Sequence, residues 1–420
     1  MSRRRVAITG CGVVSAIALG FPEFRRALAQ ARPGISSLPQ ETIRRAGVAV
    51  AAQVAWDAGA HFKPAEAAQL DRVSQFSLVA AHEALACARL APEAADRDRI
   101  GVYWGTGMGG THTLEAAYAQ VYGRDDYRLR PLTVVMAMVN AAGANVALRW
   151  NLRGPFANFA TACSSSAMAI GEAMRVIEAG RADAIVAGGA EALLTPGTLA
   201  AWHAVRTLAP ADRADPGASC RPFDRRRSGL VLGEGAAAFV LEEEGRARAR
   251  AAPILGLLTG YGNTCDAVHI SRPDRDGQVR AMRAALEDAR LAPEAIGYLN
   301  AHGTATVVGD VVECEAIRIA FGAAADAVPV SSTKALHGHL LGAAGALELA
   351  AALVPLLDGV LPPTAFLEEP DPACAVRHVA RSAERVAPPR AVMSNSFAFG
   401  GSNVVLVVER AEEETVRRRS

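Results

Sequence analysis

The sequence predicts an α/β architecture with buried sheets, on three observations. Short, apolar, β-branched runs alternate along the chain with Ala-rich stretches of helical character. The composition is globular, 51% hydrophobic and 21% charged. A length of 420 residues allows a large core without disulfide or metal staples, and suits two to three domain-sized units or one fold with an internal duplication.

The first expected strand is 5–9, running into a turn at Gly10. Arg3-Arg4-Arg5 before an apolar run to Leu19 has features of a signal peptide, but Gly10, Cys11 and Gly12 interrupt the run. Helices are expected at 22–30 and 65–88, a strand at 100–104, a helix at 164–179, and strands at 184–187 and 236–242. Arg246 to Pro253 reads as a seam. Beyond it come strand 254–261, helix 278–289, strand 297–301, helix 312–321, strand 328–331, helix 345–357, and strands 390–394 and 403–409. Each half has a key loop-to-helix junction after an apolar strand, around Cys163 and around His302, which suggests a coarse duplication. No period of about 20–50 residues indicates a solenoid.

Lys+Arg total 44 and Asp+Glu 43, which disfavours a wholly basic nucleic-acid binder. Nearly every cation is Arg, which draws attention to the only lysines, Lys63 and Lys334. The seven cysteines are odd in number and show no C-x-x-C spacing, so a reducing cytoplasm is expected rather than a disulfide framework. No charge-free stretch of about 20 apolar residues suggests a membrane span.

Four segments carry chemistry. In the first, small residues crowd Cys163 and a helical pattern starts directly after it, with Ala167, Ile170, Met174 and Ile177 on one face. A helix N-terminus there would favour a thiolate and offer a free N–H to an oxyanion; a buried structural cysteine is the competing reading. In the second, a strand runs into His302-Gly-Thr, which can face a cleft; a loop histidine tied to backbone is the alternative. The third contains Lys334, His337 and His339. No carboxylate or cysteine at ligand spacing completes a metal site, so none is expected. The fourth, Ser394 to Asn403, is a small-residue loop in which Gly400 and Gly401 permit positive φ. The glycines from Gly105 to Gly110 have G-x-G-x-G-G spacing, which is not the dinucleotide fingerprint.

Taken together and in this order, Thr-Ala-Cys163, His302-Gly-Thr-x-Thr, Thr-Lys334 with Gly-His339, and Asn395-Ser-Phe-x-Phe399-Gly-Gly resemble the elongating β-ketoacyl-acyl carrier protein synthases, close to type II enzymes and bacterial polyketide ketosynthases. Pro222-Phe-Asp and Leu232-Gly-Glu-Gly-Ala add to the resemblance, which runs from about Arg5 to Val408. It implies a thiolase fold of two pseudo-duplicated α/β halves in five αβαβα layers. The expected division is 1–250, carrying the nucleophilic cysteine, 251–412, carrying both histidines, and a charged tail at 413–420.

The resemblance also implies roles. Cys163 would accept an acyl chain from a carrier-protein thioester. His302 and His339 would stabilise the enolate left when a malonyl thioester loses CO₂. Cys163 and Phe399 N–H groups would form an oxyanion hole. Lys334 and Glu313 would be a charged pair supporting the histidines. Thr304 and Thr306 would contact the phosphopantetheine arm, Phe399 would gate the site with Gly400 beside it, and Met108 would limit acyl length. Arg128, Arg130 and Arg206 would dock an acidic carrier protein. No cofactor is implied beyond that arm. The expected partners are an acyl carrier protein and a second ketosynthase subunit, identical or homologous; neither nucleic acid nor a membrane is expected.

Several positions depart from the family pattern. Ala65, Ala68 and Gln69 stand where basic contacts are usual, His337 precedes Gly-His339, Ser164-Ser165-Ser166 follows Cys163, and Ala305 and Val307 replace the usual Ser and Pro. These give a slight lean to a specialised polyketide or polyene pathway over primary fatty-acid elongation. The alternative, a non-catalytic chain-length-factor subunit, belongs to a class lacking the nucleophilic cysteine.

Overall fold

The computed structural model describes residues 3–91 and 97–411; the expected tail at 413–420 lies outside them. Twelve strands form one sheet: β1 Val6–Ser15, β2 Ala18–Leu19, β3 Ile100–Gly105, β4 Phe156–Phe159, β5 Ala184–Glu191, β6 Gly235–Glu243, β7 Gly256–Cys265, β8 Ile296–Asn300, β9 Pro329–Ser331, β10 Arg377–His378, β11 Ala391–Phe397 and β12 Ser402–Glu409. The principal helices are α1 Phe21–Ala29, α2 Arg72–Cys87, α3 Thr111–Arg124, α4 Thr133–Ala137, α5 Ala141–Trp150, α6 Ser165–Glu178, α7 Pro196–Ala204, α8 Arg275–Ala289, α9 Gly309–Phe321 and α10 Ala344–Asp358.

The strand order is β10-β9-β8-β11-β12-β7-β1-β6-β5-β3-β4, with β2 paired to β1 off this path. It contains the same unit twice. In the first half β3 is parallel to β4 and β5, while β5–β6 and β6–β1 are antiparallel. In the second, β8 is parallel to β9 and β11, while β11–β12 and β12–β7 are antiparallel. Within the sheet the two units join where Val6, Ala7 and Ile8 of β1 pair with Leu258, Leu257 and Gly256 of β7.

Side chains explain the layering. On β5, Ile185 and Ala187 enter a central core while Ala184 and Val186 enter an outer one, so period-two alternation serves two apolar cores. The central core holds α6 and α10, and each helix packs against strands of both halves. The expected apolar face of α6, with Ala167, Ile170, Met174 and Ile177, lies in it. Helices α2 and α5 cover the outer face of the first unit, and α8 and α9 cover that of the second. The result is the five-layer αβαβα arrangement.

The expected helix 65–88 is broken. A short turn, Pro64–Ala67, ends before Asp71, whose carboxylate caps α2 by accepting the Val73 N–H at 3.1 Å. The same carboxylate accepts the Thr113 N–H and hydroxyl at 2.8 and 2.6 Å, tying α2 to α3. Segment Leu341–Asp358 is apolar and long enough to cross a membrane by composition, but it is 89% buried inside the molecule. It is the core helix of the molecule.

Candidate active site

Left-handed backbone stands beside each key side chain. Ala162 (φ 51°) precedes Cys163, Gly303 (φ 32°) follows His302, Gly338 (φ 69°) precedes His339 and Gly400 (φ 85°) follows Phe399. An alanine in that region is strained by about 1–2 kcal/mol, and such strain clusters where a side chain must be aimed. The serines after Cys163 brace the bend. Ser165 Oγ accepts the Thr161 N–H at 2.9 Å and donates to the Ala162 carbonyl at 2.7 Å. Ser164 Oγ reaches Ser402 Oγ on β12 at 3.0 Å, and Ser166 Oγ accepts the Ala346 N–H at the start of α10 at 2.9 Å.

Cys163 therefore lies in the turn Ala162–Ser164 that leads into α6. Its sulfur is 3.0 Å from His339 Nε2. The His302 and His339 rings meet edge to face with centroids 5.3 Å apart. The Cys163 sulfur and one nitrogen of each histidine lie within 4.8 Å of one another. One cysteine comes from the first half and both histidines from the second, brought together over the central layer.

Burial decides the electrostatics. Both imidazoles are held well below the usual histidine range, first by burial and then by the Lys334 charge. They are neutral at physiological pH. Lys334 Nζ donates to the His302 carbonyl at 2.5 Å and lies 3.4 Å from His302 Nδ1. An ammonium is only a donor, so Nδ1 accepts and the His302 proton resides on Nε2. His339 Nδ1 has no partner among the described residues. An unpaired lone pair is tolerated better than a buried orphan N–H, which puts the proton on Nε2, facing Cys163.

The thiolate expected at a helix N-terminus is corrected. Burial pushes the Cys163 thiol up to about 12, outweighing the nearby Lys334 charge and a hydrogen bond from the Phe399 N–H. The resting group is a thiol, and negative charge develops on sulfur only in reaction. The Phe399 N–H points at this sulfur.

Lys334 and Glu313 both hold the backbone at His302, and the Lys334 charge acts on Glu313 through space, but the direct ion pair of Lys334 is with another acid. Lys334 pairs with Glu348 of α10, both fully buried. Glu313 instead accepts the backbone N–H groups of His302 and Gly303 at 2.8 and 2.7 Å, and the Asn395 amide at 3.1 Å. It fixes the strand-to-loop bend beneath His302. His337 is bound on both ring nitrogens, by the Gly338 carbonyl at 2.8 Å and Thr333 Oγ1 at 2.9 Å. Burial pushes it down to about 3, and it braces the turn before His339.

An open cavity of about 360 Å³ leads to Cys163, His302 and His339. Thr304 and Thr306 line it, with their hydroxyls 3.1 Å apart, and so do Phe399 and Arg206. The Phe399 ring stacks on Trp202 at 6.1 Å. Other expected residues lie elsewhere. Gly400 shapes the turn without lining the cavity; its N–H donates to the Ile270 carbonyl at 2.7 Å. Met108 is outside the cavity and 41% exposed, while its N–H donates to Glu191. Arg128 and Arg130 do not line it either; Arg128 pairs with Asp126 and Arg130 donates to the Ala68 carbonyl.

Three supporting residues went unnoticed in the sequence. Glu348 is the only charge between Ala344 and Leu357, a visible anomaly in an apolar helix. Glu191, an acid at the end of an Ala/Gly-rich strand, accepts the N–H groups of Gly107, Met108 and Gly342 at 2.7, 3.1 and 2.9 Å. Arg227 is almost fully buried and holds the threonine loop through the carbonyls of Thr306 and Val307 at 3.2 and 2.8 Å; nothing local in the sequence marks it.

The arrangement has a match among known proteins. The family described as beta-ketoacyl synthase matches through its N-terminal domain over residues 3–247 and its C-terminal domain over 255–368. The chain belongs to this family of condensing enzymes and is an acyltransferase-type enzyme. A 3-oxoacyl-[acyl-carrier-protein] synthase 2 from Staphylococcus aureus is 38% identical over 412 residues, covering 97% of this chain and 99% of the relative. The crystal structure of a beta-ketoacyl synthase from Burkholderia phymatum superposes with a TM-score of 0.90 at 35% identity, covering 97% of this chain and all of that one. The ishigamide ketosynthase/chain length factor gives 0.89 at 30% identity, covering 98% and 100%.

Proposed function

We propose that this enzyme joins a Cys163-bound acyl group to a malonyl unit on an acyl carrier protein, with loss of CO₂, in fatty-acid or polyketide-type chain elongation. The observation that carries the reading is the buried set of one thiol and two neutral imidazoles at the end of an open cavity. Cys163 sulfur attacks the acyl thioester, and the carrier thiol leaves with the proton the cysteine gives up. The His339 Nε2–H supports the developing charge on sulfur. A malonyl thioester then enters and loses CO₂. His302 and His339 donate Nε2–H bonds to the enolate oxygen. Its carbon attacks the acyl-Cys163 carbonyl, and the Cys163 and Phe399 N–H groups hold the resulting oxyanion. Collapse expels the Cys163 sulfur, which takes up a proton from solvent to return to the thiol, and leaves a β-ketoacyl thioester on the carrier.

These steps call for no resident metal or organic cofactor, and the Lys334 ammonium behind His302 opposes a second cation there. A second subunit fits an apolar surface. Leu114, Tyr118, Val134, Val135, Met138 and Phe156 are exposed, and Phe156 lies on the outer strand β4 of the sheet. An identical subunit or a homologous chain-length factor suits this face. Within this chemistry we favour a specialised polyketide or polyene pathway, on the departures at Ala65, Ala68, Gln69, Ala305 and Val307 and the likeness to the ishigamide ketosynthase/chain length factor. Primary fatty-acid elongation is the second reading, supported by the name of the S. aureus relative.

Intact-protein mass spectrometry after incubation with a panel of acyl-carrier proteins tests both levels. Wild type gains the acyl mass and Cys163→Ala does not. Selective loading from polyenoyl or aryl donors supports the specialised pathway; saturated chains from a housekeeping carrier support the second reading.

A further inference from the structure

Two cysteines that the condensation does not use meet in the second half. Cys314 lies in α9, and Cys374 ends the short turn Pro372–Cys374, which packs against that helix. Both are fully buried in the outer core, and their thiols are hydrogen-bonded to each other. That bond, then burial, holds the Cys314 thiol well above the usual range. Other buried cysteines have different company: Cys163 faces an imidazole, and Cys220 accepts the Val231 N–H. The cover over Cys374 is thin, since Pro372, Ala373 and Ala375 are exposed. Local bonds hold the turn: Asp371 accepts the Ala373 N–H at 3.0 Å, and His378 Nε2 donates to the Cys374 carbonyl at 2.8 Å. Opening a short surface turn costs far less than unfolding the molecule. The Arg227 guanidinium interacts electrostatically with Cys374, so negative charge developing on that sulfur is stabilised. Each cysteine is also one step from a group that shapes the active site. Cys314 follows Glu313, which accepts the His302 and Gly303 N–H groups. The turn is preceded by Asp371, whose carboxylate pairs with Arg227 at 2.6 Å, and Arg227 holds the carbonyls of Thr306 and Val307.

We propose that Cys314 and Cys374 are a site of reversible oxidation, closed to a disulfide by a hydroperoxide, and that closure displaces the threonine loop through Asp371 and Arg227. The disulfide stands on the thiol pair alone; its effect on the loop rests on the condensing reading above. The Cys374 sulfur gives up its proton and attacks one peroxide oxygen. The O–O bond breaks, a sulfenic acid forms, and the other oxygen leaves with that proton as water or an alcohol. The Cys314 sulfur then attacks the sulfenic sulfur. The S–S bond forms, the S–O bond breaks, and hydroxide leaves as water with the Cys314 proton. The two thiols lose two electrons between them and the peroxide gains both. A disulfide needs its sulfurs about 2.05 Å apart, so thiols in hydrogen-bond contact must draw together. Cys314 is fixed inside α9, whereas the turn is short and at the surface. The turn therefore moves, taking Asp371 and the Arg227 guanidinium with it. A thiol reductant reverses the bond.

The test uses full-length Cys163→Gln, which lacks the nucleophilic thiol, so peroxide damage at that sulfur does not enter the result. The folded protein is treated with hydrogen peroxide, quenched with catalase, unfolded, alkylated and mapped by mass spectrometry. The expected product has lost two hydrogens. The peptides carrying Cys314 and Cys374 are recovered joined and unalkylated, and dithiothreitol separates them. Decarboxylation of malonyl-carrier protein by the oxidised variant then shows KM raised about fivefold with kcat held within about twofold, and dithiothreitol restores it. Adding Cys314→Ala or Cys374→Ser removes both the cross-link and the change in KM. Both thiols alkylated after oxidation, or Cys374 joined to a different cysteine, overturns the site. A closed disulfide with unchanged KM, or a rise in KM that persists in either second variant, overturns the coupling to the loop. Absence of decarboxylation before oxidation overturns the condensing reading and the coupling with it, while the mapping still decides the disulfide.

Discussion

At the residue scale, Lys334 organises the most chemistry. Of the two lysines, it is the fully buried one, and its ammonium fixes the proton on His302 while meeting Glu348 across the central layer. No other hydrogen bond reaches the Glu348 carboxylate among the described residues. Glu348→Gln removes a buried cation's counter-charge, so it is expected to destabilise the protein by about 3 kcal/mol, read from urea denaturation, and to lower activity. The pH dependence follows from the same packing. His302 and His339 are held well below the usual 6.5, so lowering the pH from 8 to 6 crosses the ordinary histidine range without protonating them. Because burial also pushes the Glu191 and Glu348 carboxylates up to about 7, the check reads the imidazoles themselves: in Cys163→Gln, where an amide mimics the acylated cysteine, the His302 and His339 ring signals are expected to stay at their neutral positions by NMR across this span. A ring titrating near 6.5 contradicts the neutral-imidazole assignment. Residue types and order made Cys163, His302, His339 and Lys334 legible in the sequence. The partner of Lys334 was not, because pairing across two layers leaves no local spacing to read.

At the element scale, the site is made where strands turn into helices. β3, β5 and the turn after His339 converge on the carboxylate of Glu191, which burial pushes up to about 7 despite its hydrogen bonds from Gly107, Gly342 and Met108. Those glycines allow the approach: a Cβ on Gly342 would lie 2.1 Å from the Gly107 nitrogen. Glu191→Ala strands three N–H groups in the interior. Thermal denaturation is expected to show a loss of about 3–5 kcal/mol, with Glu191→Gln retaining part of it. Two of the elements missing from the sequence reading, α3 and β4, share a physical character. In α3 only Thr111 and Ala117 are buried, so no core-facing stripe appears in its sequence. Strand β4 is four residues long and has no fully buried residue. The elements read most reliably, β5, β6, α6 and α10, are packed on all sides.

At the scale of the whole molecule, neither half is complete. The nucleophile is in one and the imidazoles are in the other, while α6 and α10 each pack on both sheets. A chain ended at residue 250 exposes the inner face of its sheet and one side of α6. It is expected to aggregate on expression, and recovery of a soluble, monodisperse half by size-exclusion chromatography contradicts this. The duplicated plan was visible as two similar junctions around Cys163 and His302, but the strand order was not, since long-range pairing leaves no trace in local composition.

The central layer also has a consequence in time. Helix α6 ends at Glu178 and α10 begins at Ala344. A ribosome adding roughly 5–20 residues per second therefore begins the second of these helices about 8–33 s after finishing the first. During that interval the finished part of the chain presents an apolar surface whose cover has not been synthesised. Successful production of this enzyme then depends on what shields the nascent chain, so chaperone supply and translation rate set the yield of a protein whose finished form is compact and deeply buried.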